Sequence, residues 1–184
     1  MNKFKFVALS GSLRKLSYNS SALEALSLLS VDIANINIIT LGDLPLFNPD
    51  REQDEISAVL TLKSQLKSAD GLIISSPEYA HGISGVMKNA LDWLVSGEEF
   101  VNIPIMLINT SPRATHAQQM LREIIVTMSG NIIEKSCVVI PLLGTSLDAQ
   151  GVVVDAKLSG LLKTGIDELC SVINNPLMCD SDKH

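Results

Sequence analysis

Serine, asparagine and arginine crowd one short stretch near the start of the chain, Ser10-Gly11-Ser12-Leu13-Arg14-Lys15-Leu16-Ser17-Tyr18-Asn19-Ser20-Ser21. Backbone N–H groups and short hydroxyls ahead of a helix can satisfy a dianionic phosphate, and a guanidinium adds charge-assisted hydrogen bonds. The same residues also fit a solvated turn with several alternative N-caps. A second stretch runs from Ser76-Pro77-Glu78-Tyr79-Ala80-His81-Gly82 to Lys88-Asn89-Ala90-Leu91-Asp92-Trp93. Its glycines, Gly82 and Gly85, permit a flat, partly apolar ring to lie along the backbone, and Tyr79 offers a ring face or a hydroxyl. The competing reading makes Pro77-Glu78-Tyr79 a plain turn and Trp93 a core residue. His81 is either a solvated loop histidine or a proton-transfer group.

Missing motifs narrow the ligand. There is no G-x-x-x-x-G-K-[ST] loop of a nucleoside triphosphatase and no G-x-G-x-x-G of a dinucleotide fold, so a mononucleotide fits the first stretch better. No cysteine precedes Cys137, which removes the thiolate of low-molecular-weight phosphatases from that loop. The cysteines at 137, 170 and 179 form neither a CxxC pair nor an even disulfide framework, which points to a reducing cytoplasm and to no metal site. With 14 Lys and Arg against 20 Asp and Glu, the net charge of −6 disfavours nucleic acid or an anionic membrane as partner and favours a small molecule. The apolar run after Met1 is too brief for a signal peptide or a membrane span.

These segments need elements to hold them. Short apolar runs at 4–9, 35–41, 71–75, 103–109 and 132–140 read as strands. Between them lie stretches of helical period, with Ser17 or Asn19 as the N-cap of the first. Helix three spans about 85–95, with Lys88, Asn89 and Asp92 facing outward, and the last helix carries Leu158, Leu162, Ile166 and Leu169 before Pro176. Strand–helix alternation with doubly apolar strands predicts an α/β doubly wound parallel sheet covered on both faces, in one domain over 1–176 with a polar tail at 177–184. In such a sheet, ligands bind beyond the carboxyl ends of the strands, which is where both polar stretches fall.

Gly11-Ser12-Leu13-Arg14 with Ser17 and Asn19, then Pro77-Glu78-Tyr79 and Lys88-Asn89-Ala90-Leu91-Asp92-Trp93, resemble the NADPH-dependent FMN reductases of the flavodoxin-like superfamily, a group that includes quinone, azo-dye and chromate reductases. The resemblance implies a five-stranded parallel sheet of order 2-1-3-4-5. It assigns Ser10, Ser12, Arg14, Ser17, Asn19 and Ser20 to the FMN phosphate, and Pro77, Glu78 and Tyr79, with Ala80, His81 and Gly82, to the isoalloxazine. Ala80 stands where the family often has Asn, and Asn109 to His116 replaces a glycine-rich loop, leaving Ser111 to touch the ring and Arg113 to meet a coenzyme phosphate or water. NADPH or NADH is the implied co-substrate, quinones, free flavin or similar small oxidants the acceptors, and no side chain is required as nucleophile because the chemistry is flavin-centred. The alternative is a flavodoxin-like electron carrier with little NAD(P)H turnover. A homodimer or homotetramer is implied as well, with the apolar loop 44–47, Trp93 and Leu94 expected at the subunit contact.

Overall fold

A computed structural model describes residues 3–175. The strands β1 (Phe4–Ser10), β2 (Ala34–Ile39), β3 (Gly71–Ser75) and β6 (Pro104–Asn109) lie parallel in the order β2-β1-β3-β6. The fifth position is shared by two short pieces, β7 (Asn131–Ile132) and β8 (Val138–Val139), each paired parallel to β6. A separate two-stranded hairpin, β4 (Glu78–Tyr79) with β5 (Gly82–Ile83), projects from the end of β3.

Successive residues of each strand point to opposite faces, and both faces here are apolar. Phe6, Ala8, Ile73, Met106 and Ile108 pack under α1 (Tyr18–Leu29), α5 (Ala149–Val154) and α6 (Ala156–Asn174). Val7, Leu9, Leu72, Ile74, Ile105 and Leu107 pack under α2 (Ser57–Lys67), α3 (Gly85–Leu94) and α4 (Thr115–Thr127). Every residue of β3 is buried, which is why its sequence is continuously apolar rather than alternating.

Four expectations need correction. The run 132–140 is not one strand: Glu134–Ser136 forms a 3₁₀ turn in which the buried Ser136 Oγ donates to Ile133 O at 2.7 Å. This polar triplet lacks the alternation that would hold it in the ladder, and α6 lies tightly over it. A Cβ built on Gly165 would stand 2.7 Å from Ser136 O and 2.7 Å from Met106 Cε. Trp93 and Leu94 are core residues, each 1% exposed. Trp93 Nε1 donates to Pro45 O at 2.8 Å and its ring meets Phe47 edge-on at 5.1 Å, so much of the apolar loop is covered by α3 of the same chain, leaving Leu46 outside. Asn89 faces this loop rather than solvent, donating to Pro45 O and accepting from Phe47 N–H. Finally, α5 precedes the last helix and was absent from the pattern of periods. Pro176 and the expected tail at 177–184, with Cys179, lie outside the described residues.

Cys137 and Cys170 are free thiols. Burial, with help from the carboxylates of Asp167 and Asp70, pushes the Cys170 thiol up to about 11 from 9.0. The fold therefore favours the protonated form, and this contribution is complete below about pH 9 and lost as pH rises through 11. Urea unfolding between these pH values should show a smaller loss of stability in Cys170→Ala than in the parent. Gly165→Ala, which forces a methyl against a backbone carbonyl, should cost about 1–3 kcal/mol in the same measurement.

Candidate functional site

The carboxyl ends of β1, β3 and β6 open into a cleft of about 670 Å³. Its first wall is the β1–α1 loop. Ser17, in extended backbone at φ −128°, is the N-cap of α1, and its Oγ accepts from Ser20 N–H at 3.4 Å. Asn19, the other candidate cap, lies inside the first turn. Ser10 Oγ bonds to Ser20 Oγ at 3.0 Å, and Arg14 N–H donates to Ser12 Oγ at 3.4 Å. The loop can fold this tightly because residue 11 is glycine: a Cβ there would lie 2.3 Å from Ser76 Oγ and 2.8 Å from Ser76 Cβ. Gly11 N–H donates instead to Ser75 O at 2.8 Å, which draws the first two walls together.

Asn19 is 6% exposed, and its Oδ1 accepts from Ser75 Oγ at 2.9 Å and from Thr110 Oγ1 at 3.3 Å. One amide oxygen thus joins α1 to the ends of β3 and β6. With that oxygen occupied, the edge of Asn19 left for a ligand is its NH₂ group, a donor.

The second wall is the β4–β5 hairpin. Tyr79 pairs with Gly82 across a two-residue turn in which Ala80 and His81 both adopt the left-handed region, at φ 49° and 59°. Helix α4 begins after Ala114, which has no side chain able to cap it. Glu78 supplies the acceptor from across the hairpin: its Oε2 accepts from Ala117 N–H at 2.9 Å, and its Oε1 lies 3.3 Å from His81 Nδ1. A carboxylate at this end also meets the positive end of the helix dipole. The His81 ring in turn meets that of His116 edge-on at 4.6 Å.

Of the residues expected at the site, Ser12, Arg14, Ser17, Asn19, Ser20, Pro77, Glu78, Tyr79 and Ser111 line the cleft together. Ser10 does not; it is buried behind the loop and holds Ser20. Ala80, His81 and Gly82 do not line it either: Ala80 and His81 form the turn of the hairpin, and of the Tyr79–Gly82 pair that flanks this turn only Tyr79 lines the cleft. Arg113 lines the cleft from the β6–α4 loop. A further wall of Leu143, Ser146, Leu147 and Asp148, with Glu24 of α1, carries no site motif in the sequence, whereas Tyr18 beside it belongs to the first polar stretch. Asp148 is the N-cap of α5, accepting from Gly151 N–H at 2.8 Å.

A parallel sheet with a hydroxyl-rich first loop and an aromatic hairpin at the end of its third strand defines a flavodoxin-like α/β protein. The family model for NADPH-dependent FMN reductase matches residues 4–143, and the chain belongs to that family. It is a flavin-dependent NAD(P)H oxidoreductase. It is 33% identical over 172 residues to an NAD(P)H-dependent FMN reductase of Pseudomonas aeruginosa, covering 90% of this chain and 92% of the relative. It is 31% identical over 163 residues to a quinone reductase of Escherichia coli K12, covering 83% and 86% respectively. Among solved structures, the flavoenzyme NAD(P)H:(acceptor) oxidoreductase of Paracoccus denitrificans superposes with a TM-score of 0.72 at 26% identity, over 91% of this chain and 98% of that one.

The role found for Glu78 has a direct consequence. Glu78→Ala should cost about 0.5–2 kcal/mol, the usual value of an N-cap, and should speed amide hydrogen exchange at Ala117; Glu78→Gln, which keeps an acceptor oxygen, should lose less on both measures.

Proposed function

We propose that the cleft binds FMN with its phosphate at the β1–α1 loop and its ring against the hairpin, and that NADPH or NADH and a small oxidant, a quinone or free flavin, use the same opening in turn. The observation that carries this reading is the convergence of hydroxyl, amide and guanidinium donors at the start of α1 on a cleft whose next wall is Tyr79. The donor set suits the group: Ser12, Ser17, Ser20 and the N–H groups of the first turn of α1 meet phosphate oxygens, and Arg14 adds charge.

FMN, when bound, supplies the two-electron chemistry that links nicotinamide to acceptor. The chain's own part is positional. Asn19 holds the phosphate loop to the ends of β3 and β6, and Glu78 holds the hairpin to α4, so the two walls keep a set spacing. Pro77 and Tyr79 offer an apolar, half-open face, and Ser111, whose N–H is fixed by Asn109 Oδ1 at 2.9 Å, lines the same cleft. Ala80, His81 and Gly82 bear on the ring through the hairpin's shape rather than from the lining. Flavin-centred chemistry requires no side-chain nucleophile; burial raises the thiol pKa of Cys137 and of Cys170, and neither lines the cleft.

The working unit we propose is a homodimer or homotetramer of one-domain chains spanning 1–176, in the cytoplasm. Leu46, 84% exposed, and Tyr79, 52% exposed, support an apolar contact between copies, and free thiols suit a reducing compartment. No helix among the described residues is long and apolar enough to cross a membrane.

Purified protein should be yellow, and NADPH or NADH should bleach it rapidly under anaerobic conditions; a colourless protein that takes up no FMN would remove the assignment. Arg14→Ala should weaken FMN by about 1.5–3 kcal/mol in a fluorescence titration, the scale of a charged hydrogen bond. Tyr79→Phe, which keeps the ring face, should retain most of the activity. Light scattering at micromolar concentration should give twice or four times the chain mass.

A further inference from the structure

Three cations line the cleft, Arg14, Lys15 and Arg113, in a chain whose net charge is −6. Two of them sit on the phosphate loop. The third does not: Arg113 follows β6, and β3 lies between β1 and β6 in the sheet, so its loop starts two strand spacings, about 10 Å, from the end of β1. No ion pair or side-chain hydrogen bond engages Arg113 among the described residues. The carboxylate that shares its side of the cleft, Glu78, already serves Ala117 N–H and faces His81. The other acids of the lining, Glu24 and Asp148, belong to the wall made by α1 and the start of α5.

An exposed guanidinium with no internal partner, aimed at a site that already has donors for one phosphate, is matched to a second anion. Of the two coenzymes, only NADPH brings a phosphate monoester on its adenosine ribose, and arginine's planar fork suits that group. Resting on the reading of the cleft as an FMN and NAD(P)H site, we propose that Arg113 recognises the 2′-phosphate and makes this chain prefer NADPH over NADH. A glycine-rich loop at this position would have no side chain for the task.

The test compares parent, Arg113→Ala and Arg113→Lys as FMN-loaded proteins in steady-state assays with each coenzyme. Calorimetric titration with 2′,5′-ADP, which carries the 2′-phosphate without nicotinamide, supplies a reading independent of turnover. The NADPH-to-NADH ratio of kcat/KM should fall about ten- to a hundredfold in Arg113→Ala, mainly through KM for NADPH, with partial recovery in Arg113→Lys. Affinity for 2′,5′-ADP should fall in parallel. An unchanged ratio overturns the proposal, and so does an equal loss with both coenzymes, which would place Arg113 on the pyrophosphate or ring they share. FMN titration of the parent separates the two assignments: a chain that takes up no FMN sinks the cofactor reading, while 2′,5′-ADP binding still reports on Arg113.

Discussion

The amide oxygen of Asn19 is the point on which the cleft depends. It is buried, and two hydroxyls from different strand ends, Ser75 and Thr110, donate to it. In the protein interior such bonds are stronger than in water, and an unpaired member is costly, so the three elements are constrained together rather than separately. Gly11 completes the constraint from the other side by letting its loop touch Ser76. Together they set where the helix N-terminus of α1 stands relative to the ends of β3 and β6.

The hairpin is anchored by a comparable exchange. Helix α4 lacks its own cap, and the hairpin supplies one through Glu78, which accepts from Ala117 N–H. The loop after β2 follows the same logic, since Asn89 and Trp93 of α3 take up its backbone groups at Pro45 and Phe47. The hairpin and the loop after β2 are thus each tied to a neighbouring helix by hydrogen bonds between side chain and backbone.

Much of the architecture was legible because its signals are local. The continuous apolar run of β3 and the serine cap of α1 depend on neighbours within a few residues, and both stand where periodicity and capping rules place them. What escaped reading depends on partners far along the chain. Trp93 and Pro45 are 48 positions apart and Glu78 and Ala117 39, and no pattern of spacing announces such pairs. For this reason the sequence places Asn89 on the outward face of its helix, leaves Trp93 open between core and subunit contact and Glu78 between ring contact and plain turn, and carries no reading for the wall at 143–148. The hairpin posed a different difficulty: Ala80 and His81 are adjacent to Tyr79 in sequence, but a two-residue turn with positive φ carries them away from the lining.

The interrupted fifth strand bears on how the molecule behaves in a crowded solution. Sheet edges offer unpaired backbone groups to other chains, and long flat edges invite intermolecular ladders. Here one edge is divided by the 3₁₀ turn at Glu134–Ser136 into two-residue pieces, too short to template a neighbour. The opposite edge, β2, keeps six residues in register with β1 and ends in Ile38-Ile39. Any edge-to-edge aggregation of this chain would therefore begin at β2, on the flank of the sheet away from the two short strands.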